Sequence, residues 1–133
     1  MKAVSAKITP GLNLGAILVA ADNSGAKLVR LVSVKRGKGK KGKQGNARVA
    51  DMVKVSVRKG LPDMRGKVFD AVVIRQRKSY RRLTGERIAF EDNAVALIKD
   101  DKGTPQGTQI KGPVAREVME RWPSVAKIAS VVH

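Results

Sequence analysis

Cysteine is absent from the 133 residues, which removes disulfides and thiolate metal ligands and fits a reducing compartment. The only histidine is His133, at the C-terminus. No nucleophile–base pair can be assembled from these residues, and Glu91 and Asp92 stand consecutively in a turn-forming stretch where solvation accounts for them. No catalysis, cofactor or metal is therefore expected. The longest apolar run, residues 16–21, falls far short of the roughly 20 residues needed to cross a bilayer, and no signal-peptide core opens the chain. A soluble, cytoplasmic protein with no membrane partner is the expectation. Aromatics are scarce: Phe69, Tyr80, Phe90 and Trp122. Rows of stacking aromatics, the platform on which single strands are bound, are missing, so any RNA partner is better recognised by shape and backbone.

Acid is missing where it would matter most. Between Asp22 and Asp51 there is none, and residues 1–82 hold 21 Lys/Arg against 4 Asp/Glu, whereas residues 83–133 hold 7 of each. The whole formal excess of +17 therefore sits in the first 82 residues. Solubility alone would be served by mixed charge; a long acid-free stretch points to a polyanion, nucleic acid being the commonest. Residues 35–43, KRGKGKKGK, carry six cations and three glycines with nothing apolar to bury. Such a loop is expected to stay mobile until a partner neutralises it. Its glycine spacing also matches the dinucleotide-binding pattern and most of a P-loop. Both matches are compositional: Gln44 stands where a P-loop needs Ser or Thr, and no helical pattern follows.

The apolar pattern predicts mainly β structure. Residues 16–21 read as a buried strand, 22–25 as a turn, and 26–34 as a second strand with Leu28, Arg30, Val32 and Val34 on one face and Val29, Leu31 and Ser33 on the other. Further strands are expected over 52–57, 68–74, 87–90 and 94–98. Five or six short strands with tight turns predict a small antiparallel barrel, since closure removes exposed edges. Gly112-Pro113 predicts a helix start, with Val114, Val118 and Trp122 four apart beside Ala115 and Met119. Glu117 and Arg121 are spaced as an i,i+4 pair, and Pro123 ends the helix. The apolar tail, residues 125–132, is expected to pack on the barrel or on a partner. The length fits one domain, 1–133: a barrel over 14–100 with basic loops at 35–48 and 75–86, then a C-terminal extension over 101–133.

The densest signal is residues 71–93, AVVIRQRKSYRRLTGERIAFEDN. Ala71-Val72-Val73-Ile74 reads as a strand buried on both faces. Arg75, Arg77, Lys78, Arg81 and Arg82 follow, and five unpaired charges cannot stay buried. The chain is expected to leave the core at Arg75 and return over Arg87-Ile88-Ala89-Phe90, projecting a cationic tip on which Tyr80 is exposed to stack or to contact phosphate.

VVIRQRKSYRR, with FEDNA, GPVARE and the earlier AADNSGA, resembles the family of the fourteenth protein of the large ribosomal subunit, over nearly the whole chain. The form of residues 74–82 and the late Arg121-Trp122-Pro123 are similar to its archaeal and eukaryotic branch. The resemblance implies a closed five-stranded barrel with a C-terminal extension of short α-helices, lying at the subunit interface. Its implied partners are large-subunit rRNA, small-subunit rRNA through inter-subunit bridges, neighbouring large-subunit proteins and an anti-association initiation factor. Charge and resemblance together nominate as RNA-binding Lys35, Arg36, Lys38, Lys40, Lys41, Lys43, Arg48, Arg58, Lys59, Arg65, Lys67, Arg75, Arg77, Lys78, Tyr80, Arg81 and Arg82. Val118, Trp122, Val125, Ile128 and Val131 are nominated as a protein interface. The alternative is a free-standing protein that coats nucleic acid without sequence preference; the charge-neutral, apolar-tailed C-terminal third argues against it.

Overall fold

The computed structural model describes residue 4, residues 6–35 and residues 45–133. Five strands close into a barrel in the order β1 (Ile17–Ala20), β2 (Ala26–Val34), β3 (Met52–Gly60), β4 (Val68–Arg75) and β7 (Ala94–Ile98). Between β4 and β7 a small ribbon, β5 (Tyr80–Arg81) paired with β6 (Arg87–Ile88), stands outside it. The expected closed barrel is present, but it is not antiparallel throughout: β1 meets β7 in parallel, through Val19↔Ala94 and Ala20↔Val95. The reason is parity. Strands that alternate in direction leave the fifth pointing the same way as the first.

Alternation sorts the side chains into two cores. Leu18, Val29, Leu31, Val53, Val55, Ala71, Val73, Val95 and Leu97 fill the barrel. The intervening residues of β4 and β7, Val72, Ile74, Ala94, Ala96 and Ile98, form a second cluster with Ile110, Val114, Val118, Trp122 and Val125 of the C-terminal extension. Over residues 71–74 and 94–98 these two strands are covered on both sides, which is why those stretches run apolar without interruption. In β2, Val34 is buried rather than outward with Arg30 and Val32, because the register shifts between Leu31 and Ser33 and the alternation resets there. Residues 6–12 pack on the barrel: Ile8 and Leu12 are buried, and Leu12 bridges to Ala47.

The extension departs from expectation at its start. Gly112-Pro113 lies in β8 (Ile110–Val114), and α1 (Arg116–Arg121) begins only after Ala115. Gly112 has φ 79°, outside the helical region, and the guanidinium of Arg75 donates to the carbonyls of Lys111 and Pro113, which an extended segment leaves available. Pro123 ends α1 but also opens α2 (Pro123–Ala126) at its first turn. The tail then forms β9 (Ala129–Val132), parallel to β8 through Ile110↔Ala129 and Val114↔Val132. Of the helix stripe, Val114, Ala115, Val118 and Trp122 are buried, while Met119 faces out.

Candidate nucleic-acid interface

The basic segment after β4 divides into cations that hold the fold and cations that face water. Arg75 does not leave the core. It is 7% exposed, and its Nε and Nη2 donate to Asp92 at 2.6 and 3.2 Å while Nη1 donates to the Lys111 and Pro113 carbonyls, each at 2.9 Å. Four charge-assisted bonds make burial tolerable. Gln76, fully buried, donates to the Thr9 and Lys78 carbonyls at 2.8 and 2.9 Å and accepts from the Val49 amide at 3.1 Å, tying the N-terminal segment to the base of the ribbon.

Period-two alternation along β5 then selects who is inside. Tyr80 and Arg82 point in and Arg81 points out. The Tyr80 hydroxyl donates to Glu117 Oε2 at 2.9 Å, and Arg82 donates to the same carboxylate at 2.8 and 3.3 Å. Burial, then the Glu117 charge, pushes the Tyr80 phenol well above its ordinary pKa. Tyr80 has no exposed surface, so its expected stacking or phosphate contact is corrected, and Arg75 and Arg82 are likewise withdrawn from the exposed set. One reason covers all three: the carboxylates that Arg75, Arg82 and Tyr80 bind lie 17, 35 and 37 residues away in the chain, where no local pattern reports them. Glu117 meets Arg82 instead of Arg121, which pairs with Asp51 at 3.4 Å.

What remains outward on the ribbon is Arg77, Lys78, Arg81 and Arg87, with Leu83 at the turn. The Arg77 amide is fixed by Asn93 Oδ1 at 2.8 Å, and Arg87 donates to Ser79 Oγ at 3.0 Å, so a firm base carries exposed charged ends. A second exposed group, Arg58, Lys59, Arg65 and Lys67, lies along the end of β3 and the turn leading to β4. None of these four has an ion pair or side-chain hydrogen bond among the described residues.

At the third segment the structure is less generous. Lys35 binds Asp101 at 2.8 Å and Asp70 at 3.4 Å; the Asp101 bond, with Asp70 behind it, raises its pKa. Arg48 donates to the Ile8 carbonyl and lies 3.9 Å from Asp51. Both cations are therefore partly neutralised from within. Arg36, Lys38, Lys40, Lys41 and Lys43, and the mobility expected of their loop, lie outside the described residues.

The nominated protein interface is corrected in the same way. Val118, Trp122 and Val125 are core, at 0, 2 and 0% exposure; Trp122 Nε1 donates to the Ala50 carbonyl at 2.8 Å and its ring lies against Gly103, where a Cβ would come within 2.6 Å of Cε3. Ile128 is half-buried, and Val131 and Val132 of β9 face water. Among the described residues no three His, Cys, Asp or Glu side chains gather to hold a metal, and no helix is long and apolar enough to cross a membrane.

A family model described as Ribosomal protein L14p/L23e matches residues 11–133. The chain is 58% identical to the large ribosomal subunit protein uL14 of Nanoarchaeum equitans, 51% to that of Methanothrix thermoacetophila and 50% to that of Thermoplasma acidophilum, in each case over 99% of both chains. A barrel with exposed cations on one ribbon and one turn, and with Arg75 and Arg82 paired inside, thus coincides with full-length similarity, and the chain belongs to the Ribosomal protein L14p/L23e family.

Proposed function

We propose that the chain is a structural constituent of the large ribosomal subunit, held on large-subunit rRNA by Arg77, Lys78, Arg81 and Arg87 on the ribbon, by Arg58, Lys59, Arg65 and Lys67 on the β3–β4 turn, and by the basic loop over 36–43. The observation that carries this reading is the division of labour in one basic segment: Arg75 and Arg82 are buried and bind Asp92 and Glu117, while their neighbours stay unpaired on a braced ribbon. A cation without an acid partner in the protein is free to bind phosphate. Its place is the cytoplasmic ribosome, at the subunit interface, where the exposed tips contribute to bridges with small-subunit rRNA. The exposed side of the tail, through Val131 and Val132 of β9 beside half-buried Ile128, is the surface left for a neighbouring large-subunit protein or an anti-association initiation factor. No catalysis is assigned.

Co-sedimentation tests the placement. The protein is expected to remain with large subunits through moderate-salt washes, and Arg77→Ala, Lys78→Ala, Arg81→Ala combined is expected to release it at lower salt. Distribution of the wild-type protein over bulk nucleic acid, with no preference for large subunits, would instead support a coating protein.

A further inference from the structure

The outer wall of the barrel carries a second feature, distinct from the ribbon. Strand register sets Ile17, Arg30, Ser56 and Val68 in one row across β1, β2, β3 and β4. Ile17 and Val68 are 52% and 54% exposed, and Val32, two residues along β2 on the same face as Arg30, is 46% exposed. Arg58 follows Ser56 by two and shares that face. The row contains no acid. Beside it runs a groove of about 530 Å³ lined by Leu14, Gly15, Arg30, Val32, Ser56 and Arg58. Its wall is built rather than loose: the Gly15 amide donates to the Leu31 carbonyl at 2.8 Å, and the Leu31 amide to the Ala16 carbonyl at 2.9 Å. Gly15 adopts φ 88°, and Arg30 Nη2 lies 3.6 Å from where a Cβ on Gly15 would sit, so the guanidinium is laid over this turn. Neither Arg30 nor Arg58 has an ion pair or side-chain hydrogen bond among the described residues.

We infer that this groove binds one unstacked nucleotide of RNA, its phosphate engaged by the guanidinium edges of Arg30 and Arg58 and the hydroxyl of Ser56, its base against Leu14, Val32 and the guanidinium planes. Guanidinium is the side chain that serves both parts of such a ligand, as a fork for phosphate and a plane for a base. The aliphatic wall supplies the dry face that a solvated phosphate site would not need. RNA is favoured over an acidic peptide because Arg58 runs directly into Lys59, Arg65 and Lys67, so the groove continues a cationic surface that the proposed function already assigns to rRNA. The inference rests on that reading and adds a nucleotide site to it.

The test uses the full chain with a labelled short oligouridine and an abasic strand of the same length, titrated with salt. Wild-type protein should prefer oligouridine over the abasic strand by at least about fivefold, as burial of one base face against aliphatic side chains and a guanidinium plane allows. Arg30→Ala with Arg58→Ala should remove that preference and make the log–log salt slope shallower by about 1.4, at roughly 0.7 per phosphate contact on a single strand. Arg30→Lys with Arg58→Lys guards against a folding defect: it should keep the slope and lose the base preference. The ribbon triple variant should keep the base preference while losing affinity for a structured rRNA fragment. Equal binding of oligouridine and abasic strand by wild-type protein, an unchanged slope in the double alanine variant, or binding of an acidic peptide in place of oligouridine would overturn the nucleotide site while leaving the rRNA reading intact. Failure of wild-type protein to bind the rRNA fragment would instead remove the reading on which the site rests.

Discussion

Glu117 does two jobs with one carboxylate, accepting from Tyr80 and from Arg82 at a site where Arg82 and Glu117 side chains are 7% and 5% exposed. Removing one member of a buried pair leaves the other charge uncompensated, which costs about 3–5 kcal/mol. Glu117→Ala should therefore lower stability by that order in chemical denaturation and, by loosening the ribbon from α1, weaken RNA binding as well. Glu117→Gln, which retains an acceptor for Tyr80, should lose less. Arg81→Ala should weaken RNA binding with no loss of stability; if Glu117→Ala melts like wild type, the carboxylate is not the brace. Asp22 gives a pH signature. Its carboxylate accepts from Ser24 at 2.7 Å and from the Leu97 amide at 2.9 Å, yet burial outweighs those bonds and raises its pKa above 3.8. The native state then holds the proton where the unfolded chain has lost it, so the contribution of Asp22 is full below the unfolded pKa and declines as pH rises through the native one. Urea denaturation at stepped pH should show wild type losing stability relative to Asp22→Asn across that window. A relative gain with rising pH would contradict the assignment.

At the scale of elements, the C-terminal extension is where packing overrode pattern. β8, α1, α2 and β9 together cover β4 and β7, and Val125 lies fully buried between them. Truncation after Ser124 removes Val125 and the partner strand of β8, so it should destabilise the whole domain and lower RNA affinity with it. Val131→Asp acts on a residue 47% exposed and should leave melting and RNA affinity near wild type while weakening attachment of a neighbouring protein. A collapsed melting temperature in Val131→Asp would show that β9 is core in both faces. The barrel strands were legible in the sequence because alternation and unbroken apolar runs report burial on one face or two, and Ala71-Val72-Val73-Ile74 did so directly. The register shift in β2 and the strand at Gly112-Pro113 were not. One depends on a bulge that leaves no residue signature, the other on Arg75 arriving from 36 residues away. Within the candidate site, the sequence located the cations but could not separate Arg75 and Arg82 from Arg77, Lys78 and Arg81. Burial is decided by Asp92 and Glu117, whose own roles are visible only in three dimensions.

For the molecule as a whole, the charge excess confined to the first 82 residues becomes a body with cationic ribbon and turn and a neutral extension that packs against the barrel. RNA binding should then follow counterion release from the exposed cations alone. The most direct measurement is the salt dependence of affinity for an rRNA fragment, taken with thermal melting, on Arg77→Ala, Lys78→Ala, Arg81→Ala combined and, separately, on Arg75→Ala. The ribbon variant should show a log–log slope shallower by about 2.1–2.7, from three contacts at roughly 0.7–0.9 each, with melting unchanged. Arg75→Ala, which strands Asp92 and two carbonyls, should lower the melting temperature. An unchanged slope in the ribbon variant, or a melting loss there equal to that of Arg75→Ala, would contradict the division between cations that bind RNA and cations that hold the fold.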